Sequence, residues 1–366
     1  MSDNKEKLLV TARYIASLTR ALHYGLDVPS VPEGTDMKSV FVLAKKHSLA
    51  GALWYILEDS GLVTDPELVK RFTRERDLEF AKNLTQTREF SAITKAFTEA
   101  NIPFLPMKGF IYKSLWKRPE YRVMSDLDIY VSDEGLLRAG EVLTAMGYHL
   151  SHDCQVHDSF EKPPYMNVEL HRDLEVGSEE SFPDWRPRPD NPMWYEMSDE
   201  DCLVFQIAHM HKHFTAGGSG MRSFFDLTLY LEAKGGSLDT ELVREKLLAR
   251  GLYDFYKMSC SLSAFWFEGG EYTEDIAELE YYTVTGGAYG NMENRTQNAI
   301  KGKSRISYYL SRAFLPYSKM IYIYKWLRWL PFLLPVAWVM RLVTALFDGR
   351  LGRELRAVDA AKEEEK

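Results

Sequence analysis

The sequence predicts an α+β protein in which a small mixed-sheet core is flanked by N-terminal and C-terminal helical regions. Three observations predict this fold class. Apolar residues recur at helical spacing before residue 101, short strands alternate with helices between residues 102 and 171, and helical spacing returns from residue 199 onward. A chain of 366 residues is long enough for two domains, or for one large domain with a helical extension.

The N-terminal helical region is predicted to span residues 1–100. Met37–His47 carries apolar residues at helical spacing, which predicts a short amphipathic helix. Pro66–Ala100 predicts one long amphipathic helix, rich in charged residues and with its proline in the first turn, where proline is tolerated. Asn101 then ends the helix.

The predicted α/β core spans residues 101–182. Its elements in order are a strand over Ile102–Met107, a helix over Phe110–Trp116, a strand over Leu127–Val131, a helix over Asp133–Met146 and a strand over Tyr165–His171. Gly147 is expected to close the second of these helices, because glycine is favoured just after a helix end. Residues 183–198 are rich in proline, which predicts a linker or a flap.

The C-terminal helical domain is predicted over residues 199–348, with a charged tail at 349–366 that we expect to be disordered. Its predicted helices include Asp201–His213, Met221–Ala233 and Thr240–Arg250. Arg222 and Asp226 stand four residues apart, a spacing that predicts an ion pair on one helix face.

Charge and cysteine content restrict the function classes. The 45 basic and 53 acidic side chains leave a net charge of −8, which argues against a general polyanion binder and ranks long nucleic acid low among partners. The three cysteines show no metal-site spacing and no disulfide framework. The first twenty residues also lack a signal-peptide core. We therefore expect a cytoplasmic protein.

One apolar segment near the C-terminus raises the question of a membrane. Leu327–Phe347 is rich in apolar and aromatic residues, but Pro331, Pro335 and Arg341 interrupt it. A spanning helix needs about 20 mostly uncharged apolar residues. The segment is therefore interpreted as core or as an interfacial helix, with core favoured, and peripheral membrane contact through residues 322–347 stays open.

Two aspartates one residue apart are the most informative local feature. Asp126 and Asp128 lie in a run whose other residues predict a strand. Because side chains alternate along a strand, both carboxylates are expected on the same face of a sheet. Buried carboxylates are costly unless a positive charge meets them. Magnesium is the obvious partner, because it prefers hard oxygen ligands and often brings nucleotide phosphates with it.

Several motifs in a fixed order surround these aspartates. They are Lys108-Gly109, Arg122, the run from Ser125 to Val131, and Val168-Glu169-Leu170-His171. Together they resemble the uncharacterised nucleotidyltransferase family of the DNA polymerase β superfamily over residues 102–172. The resemblance implies an enzyme that moves a nucleoside monophosphate from a nucleoside triphosphate (ATP among them) to an acceptor hydroxyl and releases pyrophosphate.

The resemblance also implies roles for single residues. Asp126, Asp128 and Glu169 would be the catalytic and metal-binding carboxylates, holding two Mg²⁺ or Mn²⁺ ions about 4 Å apart. Glu169 would either ligate the second metal or deprotonate the acceptor. The superfamily more often has aspartate at that third position, and Gly-Gly or Gly-Ser where this chain has Gly109-Phe110.

Nucleotide-binding roles fall to Lys108, Gly109, Arg122 and Ser125. Gly109 would let backbone N–H groups approach a phosphate at the start of the following helix, and Lys108 would supply positive charge. For Arg122, pairing with a surface acid is an alternative to phosphate binding. His171 is interpreted as a histidine at a strand end that forms hydrogen bonds with its neighbours.

Other readings of the chain remain open. The run His209–His213 places two histidines on one helix face, but packing or substrate contact is favoured over a transition metal. The acceptor is expected to be a small molecule or a protein. The alternatives to this enzyme are a catalytically silent nucleotide-sensing or scaffold protein and a toxin-type transferase acting on protein or RNA. The sequence names neither the base, the acceptor nor the oligomeric state.

Overall fold

The computed structural model describes residues 3–153, 157–172, 174, 185–291, 294–296, 298 and 314–347. Packing divides the chain into two compact units. The first comprises residues 1–212 and 219–288, and the second comprises residues 213–218 and 289–366. The charged tail at 349–366 lies outside the described residues, so its predicted disorder stays a prediction.

Four helices open the first unit: α1 (Asp3–Tyr24), α2 (Met37–Lys46), α3 (Ala50–Leu57) and α4 (Pro66–Glu99). The caps explain where two of them begin. The Asp36 carboxylate accepts a hydrogen bond from the Ser39 N–H at the start of α2, and the Asp65 carboxylate accepts one from the Glu67 N–H at the start of α4. The long helix predicted from Pro66 is thus confirmed to within one residue.

The core elements follow in the order β1 (Leu105–Pro106), α5 (Gly109–Lys113), a 3₁₀ turn (Pro119–Tyr121), β2 (Leu127–Tyr130), α6 (Asp133–Ala145), β3 (His149–Asp153), β4 (His157–Lys162) and β5 (Met166–His171). The five strands form one sheet in the order β1-β2-β5-β4-β3. Only the β2–β5 pair is parallel, and the other three pairs are antiparallel. The predicted mixed sheet is therefore confirmed.

Strands β3 and β4 were not predicted from the sequence. The β3 side chains are mostly exposed on both faces, so the strand lacks the apolar–polar alternation by which strands are recognised. Its existence depends on pairing with β4, which in turn pairs with β5. Pairing in the folded chain therefore decided these two strands.

One face of the sheet packs against helices α4 and α6. Leu127 and Ile129 of β2 and Val168 of β5 are buried there beside Phe97 of α4 and Leu143 of α6. Since side chains alternate along a strand, Asp128 and Glu169 point to the opposite face. The apolar core thus determines which face of the sheet carries the carboxylates.

The proline-rich segment predicted as a linker or flap contains a β-hairpin, β6 (Trp185–Arg188) and β7 (Asn191–Met197). The hairpin is hydrogen-bonded to Phe104, whose N–H donates to the Met193 carbonyl and whose carbonyl accepts from the Tyr195 N–H. This backbone pairing attaches the segment to the core next to β1.

Helices α7 (Asp199–Thr215), α8 (Met221–Lys234), α9 (Thr240–Ala249), α10 (Tyr253–Ser263), a π-helical segment (Ala264–Glu268) and α11 (Glu274–Gly286) follow. The three helices predicted in this stretch are each present within two residues of their expected ends. Most side chains of α7 up to Met210 and of α8 up to Tyr230 are buried.

The described part of the second unit contains α12 (Tyr317–Ile323), two 3₁₀ turns (Lys325–Arg328 and Pro331–Leu333) and α13 (Leu334–Phe347). Met320, Leu327 and Ala337 form a small buried cluster in it. Among the described residues, no helix combines the length and the apolar character needed to cross a bilayer.

Candidate active site

The two aspartates and the glutamate lie at one edge of two parallel strands. Asp126 immediately precedes β2, Asp128 is the second residue of that strand, and Glu169 stands directly opposite Asp128 on β5. Asp128 is buried, whereas Asp126 and Glu169 are half-buried. The parallel register therefore brings together side chains that are 41 positions apart in the sequence (169 minus 128).

Asp128 is surrounded by positive or polar donors. Its Oδ1 accepts a hydrogen bond from Lys108 Nζ at 2.7 Å and lies 2.8 Å from His171 Nε2. Burial alone would raise the pKa of Asp128, but Lys108 and His171 hold the pKa of this carboxyl well below its usual range. The carboxylate is thus charged and fixed in position.

Asp126 is in the opposite situation. Within the described part of the chain, its carboxylate makes no hydrogen bond or ion pair. Burial, together with the nearby charges of Asp128 and Glu169, raises the pKa of Asp126 to about 6. An unpaired carboxylate beside two others is a location that favours a cation.

Glu169 and two histidines form a cluster of donor atoms on β4 and β5. The Glu169 carboxylate lies 3.4 Å from His171 Nε2 and 3.7 Å from His157 Nε2. One ligand atom from each of these three residues lies within 4.8 Å of the other two. Burial would raise the pKa of Glu169, but its hydrogen bond with His171 lowers it.

These residues fit a divalent metal ion. Carboxylate oxygens suit Mg²⁺ and Mn²⁺, and imidazole nitrogens suit transition ions. Asp126 offers a half-buried carboxylate that forms no direct ion pair with a described side chain, and the His157–Glu169–His171 cluster places three donor atoms close together. His209 and His213 do not belong to a metal-binding group in the described residues.

A tight turn carries Lys108 and Gly109 to this site. The Phe110 N–H donates to the Met107 carbonyl, and Lys108 has φ 52° and ψ −119°, a conformation that glycine usually occupies. Gly109 is favoured for a different reason, because a Cβ there would lie 2.7 Å from Arg122 Nη1 and 2.8 Å from Met124 Sδ, so these two side chains would have to move. The turn is therefore strained at Lys108 and tightly packed at Gly109.

Arg122 is engaged by the protein itself. Its Nε and Nη2 donate to the carboxylate of Asp226 on α8 at 2.9 and 2.7 Å, and its Nη1 donates to the Gly109 carbonyl at 3.2 Å. Asp226 also accepts a hydrogen bond from Trp116 Nε1. Arg122 thus links the lysine–glycine turn to α8, an arrangement that disfavours its predicted role as a nucleotide ligand.

Of the seven predicted site residues, Lys108, Asp126, Asp128 and Glu169 are brought together. Ser125 is exposed next to Asp126. The sequence did not indicate His157, because it lies on a strand that was not predicted. No role in the site was predicted for His171 from the sequence, although the alternation of β5 places His171 on the same face as Glu169.

The adjacent parallel strands, with carboxylates behind a lysine–glycine turn, agree with the nucleotidyltransferase class to which comparison with known families assigns the chain. The model of a family described as uncharacterised nucleotidyltransferase matches residues 33–268. The chain belongs to this family, which implies a nucleoside triphosphate as substrate.

The chain was also compared with solved structures and with curated proteins. A solved structure similar to this chain is that of the antibiotic-resistance factor ANT(2'')-Ia, with 13% sequence identity and a TM-score of 0.37. The similarity covers 48% of this chain and 97% of that one. None of the curated proteins matches the chain.

Proposed function

We propose that this protein transfers a nucleoside monophosphate from a nucleoside triphosphate to an acceptor hydroxyl with the help of a divalent metal ion. The observation that carries the proposal is the pairing of Asp128 with Glu169 on adjacent parallel strands, with the unpaired Asp126 beside them. Three carboxylates held close together away from bulk water repel one another, and a cation removes this repulsion.

In the proposed reaction the acceptor oxygen forms a bond to the α-phosphorus of the nucleotide. The bond between that phosphorus and the oxygen bridging to the β-phosphate breaks, and pyrophosphate leaves. The proton of the acceptor hydroxyl passes to a carboxylate or to solvent. Glu169 is suited to be either a ligand or this base, because it lies beside the other carboxylates yet is only half-buried.

Metal binding is proposed to involve Asp126, Asp128 and Glu169, with Mg²⁺ as the first candidate and Mn²⁺ as the second. A bound divalent ion would neutralise charge on the attacking and leaving oxygens. The nearby imidazoles of His157 and His171 support including Mn²⁺, because imidazole suits transition ions better than it suits magnesium.

The triphosphate is proposed to lie near Lys108, Gly109 and Ser125. Lys108 supplies a positive charge 2.7 Å from Asp128, and it can exchange that carboxylate for a phosphate oxygen once a metal ion neutralises Asp128. Arg122 is better assigned as a positioning residue, since Asp226 already neutralises its charge.

The acceptor is proposed to be a small molecule or a protein side chain. The net charge of −8 disfavours long nucleic acid, because phosphate binding depends on an excess of positive charge at the interface.

The test is incubation of the protein with α-labelled ATP, CTP, GTP and UTP, a divalent ion and a cell extract. We expect a labelled acceptor with the native protein and at least a roughly 100-fold loss with Asp126→Asn or Asp128→Asn. Glu141→Gln, on an exposed position of α6, is the matched control and should label normally. Undiminished labelling by both aspartate variants would overturn the proposal.

A catalytically silent nucleotide sensor is the second candidate. The observation that favours it is the engagement of Asp128 by both Lys108 and His171, which leaves this carboxylate little freedom to bind a metal ion. Calorimetry measures nucleotide binding and a pyrophosphate assay measures turnover, and the two together distinguish the candidates. A nucleotide that binds without any metal-dependent release of pyrophosphate, across a broad panel of acceptors, supports the sensor.

For the second unit we propose contact with an anionic membrane surface. Trp329 is 85% exposed and Phe332 is 73% exposed, and α13 adds exposed Val336, Val339 and Val343 on one helix face. All four charged residues between 314 and 347 are basic. Exposed aromatic and basic residues together are typical of interfacial helices.

Liposome flotation tests this contact. Vesicles with about one-third phosphatidylserine should carry the native protein upward, and Trp329→Ser with Phe332→Ser should reduce the floated fraction several-fold. Flotation that is equal on purely zwitterionic vesicles, or unchanged in the double variant, would contradict the proposal.

A further inference from the structure

Lys113, at the end of α5, is a largely buried lysine that lies outside the carboxylate site. Only 8% of this residue is exposed. Within the described residues, its ammonium group has no hydrogen bond and no ion pair. The nearby charges do not satisfy it, because Glu120 is paired with Arg118 at 2.6 Å and the other neighbours, Arg122 and Arg222, are cations. Burial lowers the pKa of Lys113 to about 8.

Two adjoining cavities of about 300 and 520 Å³ are both lined by Lys113. They share Thr87, Phe110 and Trp194 as well. Leu127 lines the smaller cavity, so this cavity lies on the opposite face of β2 from Asp128. Both volumes fall in or near the range of about 300–1,000 Å³ in which proteins bind small ligands.

The other charged side chains that line the larger cavity already have partners. Arg188 is paired with Asp190 and Glu196, and Lys234 with Asp199. Lys113 is thus the charged group left unneutralised among the described residues that line these cavities. An occupant should therefore carry negative charge.

Two uncharged polar side chains that line the smaller cavity also have an atom without a hydrogen-bond partner among the described residues. Gln86 is buried and donates from its Nε2 to the Met124 carbonyl, but its Oε1 has no hydrogen bond. The Thr94 hydroxyl is buried without a partner too. Buried polar atoms are normally satisfied, and those that are not indicate a missing ligand or water.

Aromatic rings form the remaining wall. The Phe110 ring lies 4.0 Å from that of Phe90 and 5.8 Å from that of Trp194, measured between centroids. The Phe90 and Trp194 rings meet edge to face at 5.3 Å. Such a wall is suited to a flat apolar body.

We propose that these cavities bind a small amphipathic anion, with a flat apolar body against Phe110 and Trp194 and a single carboxylate, sulfonate or phosphate group on Lys113. This site is separate from the proposed reaction at Asp126, Asp128 and Glu169, and it stands whether or not that proposal holds. The features that the site would recognise are the single negative charge of the ligand and its apolar body.

The probe is 8-anilinonaphthalene-1-sulfonate, an aromatic body with one anionic group, compared with the neutral N-phenyl-1-naphthylamine. Fluorescence titration of the native 366-residue chain should show one site with at least a tenfold preference for the sulfonate. Lys113→Met should remove this preference while binding of the neutral probe changes little, and Lys113→Arg should retain it. Lys70→Met, at an exposed position of α4, is the matched control.

Equal affinity of the native protein for the two probes would overturn the proposal. So would a Lys113→Met protein that still prefers the sulfonate. Trp194→Leu locates the site independently, since it removes an aromatic wall and keeps the charge. It should weaken both probes, and unchanged binding of both would place the probe elsewhere and also overturn the proposal. Circular dichroism of each variant confirms that it is folded.

Discussion

Lys108 and Lys113 are five positions apart at the two ends of α5, yet their environments are opposite. Lys108 meets the carboxylate of Asp128 at 2.7 Å, whereas Lys113 meets no carboxylate in the described structure and lines two cavities. A buried charge with a hydrogen-bonded partner is tolerated, and a buried charge without one lowers stability. The comparison therefore distinguishes a lysine whose charge is neutralised inside the carboxylate site from one whose charge is available to a ligand in the cavities.

The paired arrangement extends to the neighbouring Arg122, so the largest effect is expected from Asp226→Asn. This change leaves the buried Arg122 guanidinium without its counter-charge, and loss of one partner of a buried pair costs about 3–5 kcal/mol. Urea unfolding measures it. A loss below about 1 kcal/mol would indicate that water or another side chain replaces the carboxylate.

The next effect concerns Lys108 itself. Lys108→Met should lower the free energy of unfolding by about 2–3 kcal/mol, because Asp128 then keeps only His171 as a partner among the described side chains. Nucleotide transfer should fall at least tenfold in the same variant. A stability equal to that of the native protein would show that the Lys108–Asp128 pair contributes no net stabilisation.

The same substitution at Lys113 should have the opposite sign. A fall in the pKa of Lys113 from 10.5 to about 8 means that the folded protein destabilises the charged side chain by at most about 3 kcal/mol. Lys113→Met should therefore raise the free energy of unfolding by about 1–2 kcal/mol near pH 7. Thermal and urea unfolding of the variant would contradict this expectation if both transitions moved downward.

The smallest effect is the pH dependence of that difference. The unfolded chain holds the Lys113 proton up to about pH 10.5, whereas the folded protein releases it near pH 8, so raising the pH between these values stabilises the native protein. The advantage of Lys113→Met should be full below pH 8 and should shrink toward pH 10. The groups facing this amine, Glu120, Arg122 and Arg222, are unchanged in the variant, so their contributions cancel.

The helices and the carboxylate strand were predictable because their signals are local. Pro66 starts α4 as expected, and the alternation from Asp126 to Ile129 reveals which side chains share a face. By contrast, β3 has no such alternation, and the prolines of β6 and β7 predict a linker or flap where the structure has a hairpin. These strands form because their backbone groups pair with a neighbouring strand, and such pairing is not visible in the side-chain pattern of either strand alone.

Similar reasoning separates the two halves of the candidate site. The aspartates were recognisable from spacing alone, but the contact of His171 with Asp128 depends on the register of β2 with β5. Asp226 was expected to pair with Arg222 on its own helix. Its carboxylate instead meets Arg122, more than 100 residues away, because α8 packs against the segment that follows the lysine–glycine turn, where Trp116 contacts Phe225.

The sequence by itself determined the class of the protein, since the ordered motifs from Lys108 to His171 and the Asp-Leu-Asp alternation are legible without a structure. The tertiary structure decided which buried charges are neutralised by a side chain of opposite charge. It neutralised Lys108 and Arg122 with carboxylates from distant elements, and it left Lys113 facing two cavities. The physical reason is that periodicity is a property of neighbouring residues, whereas the neutralisation of a buried charge depends on what packing brings within about 3 Å.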